Sequence, residues 1–440
     1  MLGGLTPDGK ITLSHPALFN AKTALPGITL VLLKGPGPLP GDIALGASGL
    51  YWSSRSRMLL ENLGKSHGTH PHTSGKEQVE EKLVEILNAN GESALQRVRD
   101  EARALQIQLD ARHEFDVLNV LIGALLGGDD KGILTTRSGV LAARGTPVDS
   151  ERLYRFNLLA DYLCTTPVPD FPDVAAQEPA RTHFAVLESY FSNFVEGIQF
   201  PIEEAKDIVL QNKIVPHRFE DSHDLVGVFN LILHPDYRSN LPAPNDILEK
   251  IRERHCLMMS RRPEAMPGEF KKQSNFAGLT QFVSPGFVLG TLLEGVTLAS
   301  SVPEGLARAI YYAFLVAEIH PFRDGNGRLS RLFMNAELSR CWRSRILIPT
   351  LYHAQYLDAL RALTRRNDPE PLVRAIGHIA KWTTLFDYQD LKQVVQAMEA
   401  AHAFEENLRE FRLLTPTGGC SPEKRHNNLC ELALHLAGFA

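Results

Sequence analysis

The sequence predicts a mainly α-helical protein preceded by a smaller α+β unit. Three observations carry this expectation. Apolar residues recur at helical spacing over most of the chain after residue 181. Two charged amphipathic segments lie near 76–89 and 92–109. Short β-prone runs set among Gly and Pro are concentrated in residues 1–66.

In the N-terminal region, Ile11-Thr12-Leu13 and Ile28–Leu33 read as short strands set among Gly and Pro, as in the Lys34-Gly35-Pro36-Gly37-Pro38-Leu39-Pro40-Gly41-Asp42 stretch that follows. The histidines of the loop at 66–75 have no partnering Cys or acid at metal-binding spacing. The next two helices carry Glu80, Glu81 and Lys82, then Arg97, Arg99, Asp100, Glu101 and Arg103, which read as solvated faces. The reading divides the chain into an α+β domain at 1–125, a connecting segment at 126–180, a helical domain at 181–400, and a helix and tail at 401–440. Within the connector, Asp170-Phe171-Pro172-Asp173-Val174 reads as a linker or lid.

Residues 320–331, His-Pro-Phe-Arg-Asp-Gly-Asn-Gly-Arg-Leu-Ser-Arg, concentrate phosphate chemistry. His320 can exchange a proton near neutral pH. Asp324 is a hard oxygen donor of the kind Mg²⁺ prefers. Gly325-Asn326-Gly327 lets backbone N–H groups form an anion nest. Arg328 and Arg331, three apart on a helix, face the same way. Upstream, Ser301-Val302-Pro303-Glu304 has the form of a capping box, followed by Leu306, Ile310, Ala313, Phe314 and Ala317 at helical spacing. That helix should run to about His320, where Pro321 disfavours its continuation. A second should begin near Gly327, with the loop at the positive end of its dipole.

This stretch resembles the Fic family signature, H-[PF]-F-x-[DE]-G-N-G-R-x-x-R, at every defining position. The resemblance implies an all-helical Fic core with a short β-hairpin flap, and transfer of AMP from ATP to a Tyr, Thr or Ser hydroxyl of a target protein or of the enzyme itself. It implies His320 as general base and Asp324 as the Mg²⁺ ligand. It implies Gly325, Asn326 and Gly327 as the phosphate cradle, Arg328 and Arg331 as contacts to the β- and γ-phosphates, and Phe322 as the core anchor of the loop. Transfer of another phosphate-containing group, or removal of AMP by the same site, fits the motif as well.

Many Fic proteins carry an inhibitory [ST]-x-x-x-E-[GN] segment whose glutamate pairs with the second motif arginine. Two hexapeptides fit: Ser192 to Gly197 and Ser300 to Gly305. Because Pro303 belongs in a first helical turn and Glu304 is explained by capping, the resemblance favours Ser192, Glu196 and Gly197, with Glu196 on Arg331. The flap is expected within 276–290, an apolar run broken by Pro-Gly, with Phe282 or Val283 clamping the target. Through Leu25-Pro26-Gly27, Gly35-Pro36-Gly37, Gly41-Asp42 and Glu61-Asn62-Leu63, residues 1–125 resemble the antitoxin-like domain of abortive-infection systems. That opens a second reading, a regulatory or DNA-binding protein that modifies only itself.

Composition sets the remaining expectations. An apolar content of 44% over 440 residues is ample for two or three cores. A net charge of −5 argues neither for nor against a nucleic-acid partner. Five cysteines at 164, 256, 341, 420 and 430 form no C-x-x-C pair, no signal-peptide pattern opens the chain, and no run is long enough to span a bilayer. The expectation is a cytoplasmic protein without a membrane partner, with homodimerisation implied by the family.

Overall fold

The computed structural model describes residues 10–17, 21–64, 73–127, 132–278 and 280–417. The chain forms two compact units, Met1–Ser150 and Glu151–Ala440. No helix among the described residues is long and apolar enough to cross a membrane.

The first unit combines small sheets with a helical cluster. Strands β1 (Lys10–His15), β2 (Ala21–Leu25) and β3 (Ile28–Lys34) form a sheet of order β1-β3-β2, with β1 parallel and β2 antiparallel to β3. Strands β4 (Ile43–Ala44) and β5 (Tyr51–Trp52) pair separately. Helices α1 (Arg55–Leu63), α2 (Gly75–Asn90), α3 (Glu92–Leu105), α4 (Arg112–Gly127) and α5 (Arg137–Ala143) follow. They enclose a core of Leu59, Leu60, Leu83, Leu95, Leu118 and Ile122, which Leu134 and Ala142 complete. The histidines at 67, 70 and 72 lie outside the described residues.

Glu80 departs from its reading as a solvated residue. It is fully buried and accepts hydrogen bonds from the backbone N–H groups of Thr135 (3.0 Å) and Thr136 (2.9 Å) and from the Thr136 hydroxyl (2.6 Å). It therefore satisfies donors at the start of α5 that have no intrahelical partner. The charge run concealed it because its partners lie some 55 residues downstream.

The second unit is helical. Its elements are α6 (Ser150–Thr165), α7 (Ala180–Phe194), α8 (Ile202–Gln211), α9 (Phe219–Leu233), α10 (Pro235–Arg238) and α11 (Ile247–Met258). The hairpin β6 (Phe276–Ala277) and β7 (Thr280–Gln281) follows. The rest are α12 (Val288–Ala299), α13 (Leu306–Ile319), α14 (Asn326–Arg340), α15 (His353–Arg366), α16 (Glu370–Thr383) and α17 (Leu391–Ala400). Helix α13 is buried on nearly every side: Ala309, Ile310, Tyr311, Ala313, Phe314 and Val316 are all inaccessible. A helix apolar all round belongs at the centre of a bundle.

The segment 126–180, read from the sequence as a connector, is divided between the units. α5 packs in the first core, while Phe156, Leu159 and Leu163 of α6 belong to the second. The described residues of 401–417 contain no helix, and 418–440 lie outside the description.

Two local expectations are corrected at α13. Its N-cap is Gly305, at φ 88°, and the Ser301 hydroxyl donates backward to the Leu298 carbonyl, so 301–304 is not a capping box. The cap comes from far upstream: Asp170 Oδ1 accepts from the Leu306 N–H at 2.7 Å, and its other oxygen pairs with Arg343 at 3.0 Å. Phe171 accepts from the Ser344 N–H (2.9 Å), and Pro172 forms a bridge with Arg343. The stretch read as a linker or lid is thus tied to Leu306 and to Arg343-Ser344. Replacing Asp170 with Ala is expected to cost about 1 kcal/mol, as lost caps do, and to lower Tm by about 2–4 °C for a unit of this size. An unchanged melting curve for D170A would contradict the capping role.

Candidate active site

Helices α13 and α14 form the hairpin that presents residues 320–325. α13 stops at His320, whose backbone is left-handed (φ 53°, ψ 59°), and Pro321 follows. α14 starts at Asn326, one residue before the expected Gly327. The turn is stitched from within. Asn326 Oδ1 accepts from the Phe322 N–H and its Nδ2 donates to the Phe322 carbonyl, both at 2.9 Å. Asp324 Oδ1 accepts from the Gly325 N–H at 2.6 Å. Gly325 is required twice over: its φ is 77°, and a Cβ there would stand 2.9 Å from Met258 Cε.

The imidazole of His320 is held in one orientation. Its Nδ1 lies 3.2 Å from the Ala317 carbonyl, which fixes Nδ1 as the protonated nitrogen and leaves Nε2 as an acceptor. The Phe282 ring stacks on it, with centroids 3.8 Å apart and planes 8° from parallel. Burial pushes the imidazole pKa down to about 4; the hydrogen bond to Ala317 opposes this and the charge of Lys271 adds to it. His320 is therefore neutral at physiological pH.

Helix α7 lies along α14 in an antiparallel zipper. Glu188, Ser192 and Glu196 recur every four residues, as do Asn335, Arg331 and Gly327 in the opposite direction. Glu188 Oε1 accepts from Asn335 Nδ2 (2.9 Å), and its carboxylate takes a two-pronged bond from Arg345 (2.6 Å each). Ser192 Oγ accepts from Arg331 Nε (3.0 Å) and the Ser192 carbonyl from Arg331 Nη2 (2.7 Å). Glu196 Oε1 also accepts from Arg331 Nη2 at 2.7 Å. A Cβ on Gly327 would stand 2.1 Å from that same oxygen. The Glu196 carboxylate thus occupies the space above the first turn of α14, where an anion is favoured. Burial raises its pKa, but the charge and hydrogen bond of Arg331 outweigh this and hold it below the usual carboxylate range. Gly197 (φ 91°) turns the chain away after α7. The alternative hexapeptide does not reach the motif: Glu304 pairs with Arg340 (3.0 Å) and Arg308 (3.2 Å).

Arg328 is almost wholly buried. Its Nη1 donates to Asp224 Oδ2 (2.7 Å) and Asn193 Oδ1 (3.3 Å), while Nη2 lies 3.8 Å from Asp324 Oδ2. Asp224 is anchored in turn by Arg262 (2.6 Å). Residues of α7 therefore touch both motif arginines. Asp324 exposes more than half of its side chain. No group of three or more metal-ligating side chains exists among the described residues. Asp324, a single exposed carboxylate, does not by itself make a protein cage; its chemistry fits an ion such as Mg²⁺ that keeps several waters and takes one or two carboxylates together with substrate phosphates.

The hairpin β6–β7 is shorter than the expected 276–290 flap, because Pro285–Phe287 already turns into α12. It is tethered by Arg152, which donates to the Gln281 carbonyl, and by Arg365 Nη2 on the Thr280 hydroxyl (2.9 Å). Of the two flap residues proposed to clamp a target, Val283 is fully buried in the core. Alternation of side chains along the extended backbone leaves only Phe282 facing His320.

Four supporting residues escaped the sequence reading: Asp224, His255, Lys271 and Asn275. Lys271 Nζ donates to the Ile319 carbonyl (3.2 Å), and Asn275 Nδ2 to the Phe322 carbonyl (2.9 Å). His255 is buried against the motif and pushed down to about 4, chiefly by burial. A signal existed for two of them. Asp224 falls in register with Val228 and Ile232, and His255 with Ile251 and Met258, each a polar residue on an apolar stripe.

Residues 246–338 match the model of the Fic/DOC family. Among curated proteins, the chain is similar to the protein adenylyltransferase Fic of Drosophila grimshawi, 26% identical over 228 residues, covering 50% of this chain and 47% of that one. The Drosophila virilis protein of the same name is 24% identical over 234 residues, covering 50% and 48%. The chain spans about half the length of the curated relatives it matches. Among solved structures it aligns with Fic-1 from C. elegans (TM-score 0.41, 18% identity, covering 73% of this chain and 98% of that one). It also aligns with an IbpAFic2 variant in complex with adenylylated Cdc42 (TM-score 0.34, 12% identity, covering 69% and 88%).

Proposed function

We propose that this chain, which carries a Fic domain, is a protein adenylyltransferase held in a self-inhibited state. It would transfer AMP from ATP to a Tyr, Thr or Ser hydroxyl of a target protein or of itself. The observation that carries the reading is a single constellation. A neutral His320 whose Nε2 is left as the acceptor stands beside a glycine-bounded loop at the start of α14, and the Arg331 of that helix is engaged by Glu196.

The chemistry follows from these positions. The target hydroxyl oxygen forms a bond to the α-phosphorus, the bond between that phosphorus and the bridging oxygen to the β-phosphate breaks, and pyrophosphate leaves. The hydroxyl proton passes to His320 Nε2. Backbone N–H groups at Gly325 to Gly327 and the α14 dipole favour the phosphates. Arg328, clamped through Nη1 to Asp224, would offer Nη2 to the β-phosphate, and Arg331 would hold the γ-phosphate once Glu196 leaves it. Asp324 would hold Mg²⁺, which supplies neutralisation of phosphate charge when bound. Positioning and charge neutralisation are the main demands of such transfers.

The test is incubation with ATP labelled at the α- or the γ-phosphate, with Mg²⁺ and a cell extract. Label from the α-phosphate alone on protein, dependent on His320, is expected. Label from the γ-phosphate would overturn AMP transfer in favour of a kinase-like reaction. Label confined to the chain itself would favour the self-modifying regulator.

A further inference from the structure

We propose that His255 is a positioning residue for the phosphate loop: through one peptide plane it sets the Asp324 carboxylate and the start of α14. The proposal rests on the adenylyltransferase reading above and gives it a residue outside the signature.

Three contacts define the geometry. His255 has no exposed surface. Its Nδ1 accepts from the Gly268 N–H at 2.9 Å, which leaves Nε2 as the protonated nitrogen. Nε2–H then donates to the Asp324 carbonyl at 3.0 Å. The ring lies flat on Phe322, centroids 3.8 Å apart and planes 2° from parallel, with Phe270 also packed on Phe322 (5.3 Å).

The Asp324 carbonyl and the Gly325 N–H belong to the same rigid peptide unit. His255 holds its oxygen, and its N–H holds Asp324 Oδ1 at 2.6 Å. Gly325, at φ 77°, is the residue that would allow this plane to turn over. A flipped plane would point the N–H away from the carboxylate and release Asp324 from its fixed orientation. Without the His255 donor, the Asp324 carbonyl loses the bond that opposes the flip. The other loop tethers, Lys271 on Ile319 and Asn275 on Phe322, act before Arg323 and leave this plane untouched.

The experiment compares three variants made in the full chain carrying Glu196→Gly. His255→Phe keeps a ring on Phe322 and removes both hydrogen bonds. His255→Gln restores a donor at about the distance of Nε2. His255→Asn offers only the shorter, Gly268-facing group. AMP transfer is followed against ATP and Mg²⁺ concentration, and amide exchange of the 322–327 segment by mass spectrometry. For His255→Phe and His255→Asn we expect kcat/KM for ATP to fall about tenfold, the scale of one buried hydrogen bond with its partner left unpaired. The Mg²⁺ midpoint should rise, and exchange at 322–327 should quicken. His255→Gln should recover most of both. Equal losses in all three variants with parent-like Mg²⁺ dependence would reduce His255 to a packing residue. Unchanged exchange and ATP dependence in His255→Phe would overturn the proposal outright. If the Glu196→Gly parent transfers no AMP, the adenylyltransferase reading fails, and the exchange comparison still decides whether His255 holds the loop.

Discussion

Replacing Glu196 with Gly should raise AMP transfer by tenfold or more, and it should do so while lowering the stability of the free protein. Both effects come from one ion pair. Arg331 is almost fully buried and Glu196 about 29% exposed, with 2.7 Å between Nη2 and Oε1. The Glu196 oxygen also fills the space over Gly327 that a phosphate needs. Removing the carboxylate vacates that space and frees one N–H of Arg331 Nη2, whose other N–H stays on the Ser192 carbonyl. A tenfold gain corresponds to about 1.4 kcal/mol of relieved competition, a modest demand for a displaced charge-assisted bond. The cost lies in the free protein, where Arg331 keeps its two bonds to Ser192 but loses its countercharge. Breaking a fully buried pair by removing one partner costs about 3–5 kcal/mol. Glu196 is partly exposed, so about 1–3 kcal/mol is the expectation. ATP with Mg²⁺ should return that stability, because the phosphate replaces the lost charge, and a ligand that binds only the folded form stabilises by mass action. The measurement is Tm with and without ATP, beside the transfer rate. An E196G protein with intact ATP binding and unchanged transfer would remove Glu196 as the brake.

The zipper that places Glu196 also shows how far the site was legible in the sequence. The signature could be read because its residues are local: twelve consecutive positions carry the histidine proposed as base, the acid, the glycine-rich turn and both arginines. Glu196 could be proposed because a known pattern contains it, and helical spacing then accounts for its contact with Arg331. Glu188, Ser192 and Glu196 project from one face of α7 and its following turn, toward residues of α14 spaced the same way. What escaped is non-local. Asp170 caps a helix 136 residues downstream, and nothing in its neighbourhood announces the partner. His255 and Asp224 are single polar residues on apolar stripes, where periodicity alone reports burial and not what the polar group meets. The strand β2 was missed for another reason. Ala21-Lys22-Thr23-Ala24-Leu25 has little intrinsic β preference and is exposed throughout, so its pairing with β3 comes from context.

The second large effect is expected at His320. His320→Ala should lower transfer by about 10²–10⁴-fold, the usual contribution of a general base, with ATP binding retained because the imidazole lies outside the arginine and glycine contacts. The pH dependence is the more discriminating result. A base must be unprotonated to work, and an ordinary imidazole would lose activity as pH falls through about 6.5. Here burial disfavours the charged form, with Lys271 adding to the effect, and the pKa is pushed down to about 4. The sign follows directly: the competent form persists from neutral pH downward past 6.5 and is lost only as pH approaches the lowered value. The acid limb of kcat/KM should therefore lie well below the ordinary histidine range. The Phe282 ring, stacked at 3.8 Å, contributes to that burial. Phe282→Ala admits water to one face of the imidazole, so the limb should move back up toward 6.5. A wild-type limb near 6.5, or one that Phe282→Ala leaves in place, would show that His320 does not titrate as a buried base. The same profile measured in Glu196→Gly separates the two devices: loss of the brake should raise the plateau and leave the position of the limb nearly fixed, since Glu196 contributes less to the His320 environment than burial does.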